Sequence, residues 1–155
     1  MGNGDPIADG DFVYRRYDPT DPGHWTADEA GGPGRLRSGN LKFDPEPDPE
    51  PLRMGCSTYQ ASKLHSLTMP LADCLHDHAW ALAEIDPKAV RETERKTIPN
   101  SPKPFDAVEY ELDPASDGGH DRTRAHASIT HALELGAVDK WYRELAGRFR
   151  PMGAV

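Results

Sequence analysis

The sequence predicts a small α+β domain in which a mixed sheet packs against a few helices and many residues lie in loops. Segments typical of strands come first, one or two helical segments follow, and further strands and helices complete the chain, which differs from strict βαβ alternation. The 155 residues include 15 prolines and 14 glycines, and only 36% are hydrophobic. This composition indicates a folded chain with a small core. We expect one domain over residues 11–150, with flexible ends at 1–10 and 151–155.

The first third of the chain is predicted to contain strands joined by loops. Aromatic and β-branched residues favour a strand at 11–17, and glycines and prolines predict a loop at 18–34. A short strand is expected at 36–43. Every second residue of 44–51 is proline, which predicts an extended, unpaired acidic segment. The compact segment 54–59 is typical of a buried strand.

The middle of the chain predicts a helix followed by a strand. Leu64, Leu67, Leu71 and Leu75 recur at spacings of three or four, which indicates a helix over 60–76, broken at Pro70. A strand is expected at 79–85, and the Asp-Pro pair that follows should end it. A polar helical turn is predicted at 88–96.

The last third is predicted to hold one strand and two helices. Alternating apolar residues favour a strand at 105–112. Residues 125–135 are expected to form a helix with Gly136 as its C-cap. A final amphipathic helix is predicted at 138–149. Its apolar face, more typical of a core than of an interface, consists of Val138, Trp141, Leu145 and Phe149.

Charge and cysteine content exclude several classes of function. The formal net charge of −8 argues against nucleic-acid binding, although two or three arginines could still hold a small anion. Two cysteines cannot form a disulfide framework, and no apolar run approaches the roughly 20 residues of a membrane span. We therefore expect a soluble, cytoplasmic protein that does not bind membranes.

Histidines are the first candidates for a functional site, because five of the seven fall into two groups. If His76 and His78 lie on an extended segment, both rings point to one side and could chelate zinc or manganese. The candidates for a third ligand are Asp73, His120, Asp121 and His126. The alternative is structural: a polar turn around His76 and His78, and a half-buried His126 in the fold.

Cys56 and Ser57 are candidate nucleophiles. Catalysis would require a neighbouring base, which the surrounding sequence does not supply, and a G-x-S-x-G motif is missing. Small buried strand residues are the simpler interpretation. The glycines at 31–34 do not form a P-loop, since no GKS or GKT follows, but the adjacent Arg35 could bind a phosphate.

One arrangement of motifs is familiar. Tyr14-Arg15 lies on the first strand, Gly31-Gly32 and Gly34-Arg35 follow in a loop, and Ser57-Thr58-Tyr59 lies on a later strand. A helix then begins near Ala61, and residues 81–85 form a further strand. Over about residues 12–90 this order resembles the bacterial toxin domains of the RES type, which are related to ADP-ribosyltransferases.

The resemblance implies a nucleotide site that binds, and in active members cleaves, NAD. Arg15 and Arg35 would hold the pyrophosphate with help from Ser57, and Tyr59 would stack on the nicotinamide. The family places a glutamate on the helix after the strand tyrosine. Residues 60–75 contain none, so Glu84 would have to act as the acid.

A different class of function is also consistent with the sequence. A non-enzymatic interaction module could use the acidic proline-rich segment and the C-terminal amphipathic helix to bind a partner protein. Partner-dependent quenching of an exposed Trp141 would favour this interpretation.

Overall fold

The computed structural model of the chain describes residues 4–26, 34–47, 51–75, 80–94, 103–133, 135–136 and 138–153. The predicted α+β class is confirmed: an antiparallel sheet carries short helices on both faces. The strands are β1 Val13–Tyr17, β2 Trp25–Thr26, β3 Arg35–Leu36, β4 Phe43–Glu46, β5 Arg53–Gln60, β6 Ala81–Ile85, β7 Asp106–Glu109, β8 His126–Ala132 and β9 Arg150–Gly153. The helices are α1 Ala61–Ser66, α2 Pro87–Arg91 and α3 Val138–Ala146, with 3₁₀ turns at Ser38–Asn40, Leu71–Cys74, Pro114–Asp117 and Asp121–Ala125.

Strand β5 is the centre of the sheet. The strand order is β7-β8-β5-β1-β6-β9, and β4 also pairs with β5, while β2 and β3 form a separate ribbon. One edge of β5 pairs with β8 along nearly its whole length. The other edge is divided, because β4 pairs with its first half up to Cys56 and β1 pairs with Tyr59 and Gln60. Two residues, Ser57 and Thr58, therefore lie between the two neighbours on that edge.

The sheet has one face that is mainly apolar and one that is mixed. Directly opposed residues of antiparallel strands share a face, and successive residues alternate. The main-core face carries Val13, Cys56 and Ile129, which pack against Trp141 and Leu145 of α3. We call the other side the polar face, and its central residues are Tyr14, Arg16, Ser57, Tyr59, His126 and Ser128.

Several predicted elements are confirmed, although their ends move. Strands β1, β5, β6 and β7 lie where the sequence predicts strands, and α2 overlaps the first part of the helical turn predicted at 88–96. Asp86 caps α2 by accepting from the amide of Lys88, and Pro87 stands at its first position. Helix α3 is confirmed too, and Trp141 and Leu145 lie in the core, whereas Val138 is exposed.

The helix predicted at 125–135 is wrong. His126–Ala132 form β8, and its side chains alternate between Ala127 and Ile129 on the main-core face and Ser128 and Thr130 on the polar face. Both faces are covered, so the strand is buried almost throughout and lacks the apolar-polar alternation of a one-sided strand. Gly136 follows this strand and caps no helix.

Two other predicted elements are shorter than expected. Helix α1 ends at Ser66, before Pro70, and the chain continues as the 3₁₀ turn Leu71–Cys74. The strand predicted at 36–43 is interrupted by the 3₁₀ turn Ser38–Asn40.

Described residues of the proline-rich segment and near both chain ends form β-strand or β-bridge pairs. Residues 44–46 pair with β5 as part of β4, an edge strand where a proline costs no ladder bond, while 48–50 lie outside the described residues. Ile7 is buried, and Pro6 forms a bridge to Val108. Residues 150–153 form β9 beside β6, so the expected flexible C-terminus is paired as far as Gly153.

Candidate functional site

Arg15 belongs to the scaffold. Its Nη1 donates to the carbonyl oxygen of Ser57 at 2.9 Å, Nη2 donates to the carbonyl of Asn40 at 2.7 Å, and Nε donates to Asn40 Oδ1 at 3.2 Å. The guanidinium thus supplies a donor on the edge of β5 between the ends of β4 and β1. Because Arg15 opposes Ala83 on the main-core face, it lies on the other side of the sheet from the side chains of Ser57 and Tyr59.

Arg35 lies in a different part of the fold. It is exposed on β3 and lines a groove of about 370 Å³ together with Arg37, Ser38 and Arg143. The structure therefore does not bring together the four residues that are predicted to form one nucleotide site, Arg15, Arg35, Ser57 and Tyr59. Only Ser57 and Tyr59 share one surface.

A serine–histidine pair lies at the centre of the polar face. Ser57 opposes Ser128 in the ladder and Tyr59 opposes His126, so Ser57 and His126 are diagonal neighbours on adjacent strands. Ser57 Oγ is 2.5 Å from His126 Nε2, and His126 Nδ1 is 2.7 Å from the carbonyl oxygen of Tyr110. A carbonyl only accepts, so Nδ1 carries the proton and Nε2 is the acceptor. The Ser57 hydroxyl therefore donates to the histidine.

The environment of His126 keeps its ring neutral. The residue is only 5% exposed, and burial lowers its pKa to about 4. The charges of Arg15 and Arg16 contribute to this lowered pKa, whereas the hydrogen bond to the Tyr110 carbonyl and the charge of Asp117 act against it. At neutral pH the imidazole is therefore uncharged, and its Nε2 accepts a hydrogen bond.

Two arginines, Arg16 and Arg122, lie close enough to Tyr59 for their charges to act on it. Arg16 is joined to Tyr59 by a side-chain hydrogen bond, and its guanidinium carbon lies 5.9 Å from the centre of the Trp80 ring. Arg122 is held by the carboxylate of Asp117 and by the carbonyl of Asp73. Burial raises the pKa of Tyr59, and both arginines act against that rise, so their charges are felt at the tyrosine.

Glu84 also lies on the polar face, but at a distance from the serine–histidine pair. The register places Glu84, Tyr14, Tyr59 and His126 side by side on four adjacent strands. With strands about 4.8 Å apart, Glu84 is about 10 Å from Tyr59 across the sheet. Its carboxylate forms an ion pair with Arg150, so the predicted acid is engaged by a cation of its own.

Sequence reasoning missed Glu46, whose carboxylate lies over Gly55 on the polar face. Glu46 Oε2 accepts from Ser128 Oγ at 2.8 Å, and Oε1 has no partner among the described residues. Burial raises the pKa of Glu46, and the hydrogen bond from Ser128 opposes the rise. A Cβ on Gly55 would overlap the Glu46 carboxyl group. An isolated glycine inside a strand was the sequence feature that could have indicated this close approach.

The predicted metal site is only partly within the described residues, because His76 and His78 lie outside them. Both ring nitrogens of His126 are engaged, by Ser57 and by the Tyr110 carbonyl. Over the described part of the chain, no group of three or more His, Cys, Asp or Glu side chains is arranged to hold a metal ion.

The apolar side of α3 lies in the core, as its residue pattern favours. Trp141 is 4% exposed, because the apolar side of α3 packs into the main core. The exposed side of α3 carries charged residues, among them Asp139, Lys140 and Arg143. None of the described helices has the length and apolar character needed to cross a bilayer.

Comparison with known proteins finds no family model, no curated protein and no solved structure that matches the chain. The function has therefore to be inferred from the site itself, since a fold class hosts many activities.

Proposed function

We propose that the polar face binds a phosphate-bearing nucleotide of the NAD class, with Arg16 in the role first expected of Arg15. The observation that carries this proposal is the convergence of Arg16, Ser57, Tyr59 and His126 on one face of the sheet. The chain as a whole is acidic, with a net charge of −8, so a local concentration of arginines stands out against its surroundings.

Arg16 is suited to a phosphate because it is partly buried and already oriented. A guanidinium offers paired donors that match phosphate oxygens, and its charge acts more strongly where water is partly excluded. The hydrogen bond to Tyr59 and the Trp80 ring fix its position. Arg122 also acts on Tyr59, although the charge of its ion-pair partner Asp117 opposes it there.

The rest of the face offers a contact for another part of a nucleotide. The rings of Tyr59 and His126 meet edge to face at 5.8 Å, and because both residues are buried they form the floor of the site, beneath Ser57. The Ser57 hydroxyl donates to His126, and its oxygen retains lone pairs that can accept from a ribose hydroxyl. Because Glu84 is paired with Arg150, the proposal concerns binding and does not include cleavage.

The test is NAD-dependent thermal stabilisation of the wild-type protein and of Arg16→Met, which removes the charge and keeps most of the side-chain length. A ligand at about a hundred times its Kd stabilises a fold by about 2.7 kcal/mol, which corresponds to a rise in Tm of roughly 5–10 °C for this size. We expect that rise in the wild type and its loss in Arg16→Met. The control is Arg124→Met, because Arg124 is exposed in another groove, beside Lys63 and Glu109.

Either of two results would overturn the proposal. The first is no rise in Tm with millimolar NAD or ADP-ribose in the wild type. The second is an equal rise in Arg16→Met and in the wild type. Circular dichroism of each variant without ligand separates loss of binding from loss of folding. We also propose a cytoplasmic location, because Cys56 and Cys74 are both buried free thiols and require no oxidising compartment.

A further inference from the structure

We propose that Ser57 is a nucleophile activated by His126, and that the polar face cleaves an ester that bears a phosphate group. The assignment of Ser57 as nucleophile and His126 as its base rests only on the geometry of the pair. The inference that the substrate carries a phosphate rests on the proposed function, in which Arg16 binds the phosphate group.

The pair has the geometry that nucleophilic catalysis requires. Ser57 Oγ lies 2.5 Å from His126 Nε2, so the hydroxyl proton already points at the atom that would remove it. The Tyr110 carbonyl, 2.7 Å from Nδ1, holds the ring in the tautomer that leaves Nε2 free to accept. In serine hydrolases a carboxylate orients the histidine in this way.

His126 and Ser57 differ in burial in the way that catalysis requires, with the base more buried than the nucleophile. His126 is 5% exposed and Ser128 is fully buried, whereas Ser57 is only partly buried. A base protected from water beside a partly exposed nucleophile suits attack on an incoming substrate. A pair formed only to satisfy a buried histidine would not require an accessible hydroxyl.

Arg16 supplies positive charge on the face of the sheet that carries Ser57. Burial is the main cause of the lowered pKa of His126, and the charges of Arg15 and Arg16 contribute to it through space. The charge of Arg16 would stabilise the negative oxygen of a tetrahedral intermediate on Ser57. Because a neutral carbonyl stabilises an imidazolium less than a carboxylate does, we expect slow turnover and choose an assay that follows a single chemical event.

The proposed reaction is the transfer of an acyl group to Ser57, followed by its hydrolysis. The Ser57 Oγ–carbon bond forms at the ester carbonyl, and the proton of Ser57 moves to His126 Nε2. The bond from the carbonyl carbon to the leaving oxygen breaks, and His126 returns the proton to that oxygen. Water then attacks the acyl-serine, which releases the carboxylic acid and restores Ser57.

The test uses a fluorophosphonate probe, which reports the nucleophile without a known substrate. Ser57 Oγ would form a bond to phosphorus, and fluoride would leave. We expect a single adduct by intact mass spectrometry, mapped to Ser57 by peptide analysis. His126→Gln should slow labelling by about a hundredfold or more, the usual contribution of a general base. Ser66→Ala, which alters an exposed serine of α1, should label like the wild type.

No adduct on the folded wild-type protein would overturn the proposal, and so would an adduct on another residue. An equal labelling rate in His126→Gln would also overturn it, because the histidine would then play no part. These outcomes are separate from those of the NAD experiment, which measures reversible binding. A protein that binds NAD but resists the probe refutes only the nucleophile, and one that reacts at Ser57 without binding NAD refutes only the nucleotide site.

Discussion

The buried His126 predicts that the protein loses stability on acidification before its carboxylates are protonated. In the folded state the pKa of His126 is about 4, compared with a usual value of 6.5. Between those values the unfolded chain binds a proton that the folded chain excludes. Stability is therefore fully present above about pH 6.5 and is lost as the pH falls towards 4.

The size of the effect follows from the difference in pKa. Each unit is worth about 1.4 kcal/mol, so a difference of about 2.5 units corresponds to about 3 kcal/mol. This is a large part of the total stability of an ordinary domain, about 5–15 kcal/mol. His126 is buried, so solvent screening does not reduce the figure as it would for an exposed group.

The assay is urea unfolding at several pH values between about 4 and 7.5, applied to the wild type and to His126→Gln. Glutamine can accept from Ser57 through its amide oxygen but does not titrate. We expect the free energy of unfolding of the wild type to fall by about 3 kcal/mol more than that of the variant. The comparison is needed because burial also lowers the pKa of His131, which destabilises in the same direction, whereas the raised pKa of Glu46 acts in the opposite direction.

Equal pH dependence in the two proteins would refute this reasoning. It would mean that the pKa of His126 is close to its usual value in the folded protein, because water or a shift of nearby charges offsets the effect of burial. The groups that could do so are those around the ring: Asp117, which raises its pKa, and Arg15 and Arg16, which lower it. Tyr59 and Tyr110 complete the surroundings through ring contacts.

Two further substitutions test the scaffold around the site. Arg15→Met removes three hydrogen bonds from a charged donor, and we expect the free energy of unfolding, measured in urea, to fall by about 2–4 kcal/mol. The control variant Arg124→Met should lower it by less than about 0.5 kcal/mol. An effect of Arg15→Met no larger than that of the control would contradict the role of Arg15 in holding β5 in place. Gly55→Ala should cost about 1–3 kcal/mol because the new methyl group displaces Glu46. Most of that cost should disappear when Glu46 is alanine as well, and additive effects in this double-mutant cycle would show that the two residues do not meet.

The sequence predicts the fold class because most elements follow from local patterns. Alternating or β-branched residues identify the strands around Tyr14, Ser57 and Leu82, and an apolar stripe through Trp141 identifies the last helix. The prediction of a helix around Ile129 is wrong for a physical reason. A strand covered on both faces needs small or apolar residues at every position, and periodicity alone cannot distinguish such a run from a buried helix.

The candidate site could be predicted only in part, because it depends on strand register. Alternation along β1 already implies that Arg15 and Arg16 point to opposite faces. Which of them shares a face with Ser57 is decided by the pairing of Tyr14 with Tyr59, and that pairing is not encoded in either strand by itself. His126 comes to Ser57 across 69 residues of chain, and its second partner is a backbone carbonyl, which leaves no trace in the sequence.

The divided edge of β5 connects the scaffold with the site at a single residue. The carbonyl of Ser57 accepts from Arg15 on one side of the strand, while its hydroxyl donates to His126 on the polar face. Loss of the Arg15 clamp would let this part of β5 move and would displace the hydroxyl from His126. A weaker ligand response in an Arg15 variant would therefore follow without any contact between Arg15 and the ligand. The change of Arg16 to methionine removes a charge on the polar face and leaves the clamp in place, so it is the substitution that can identify a binding residue.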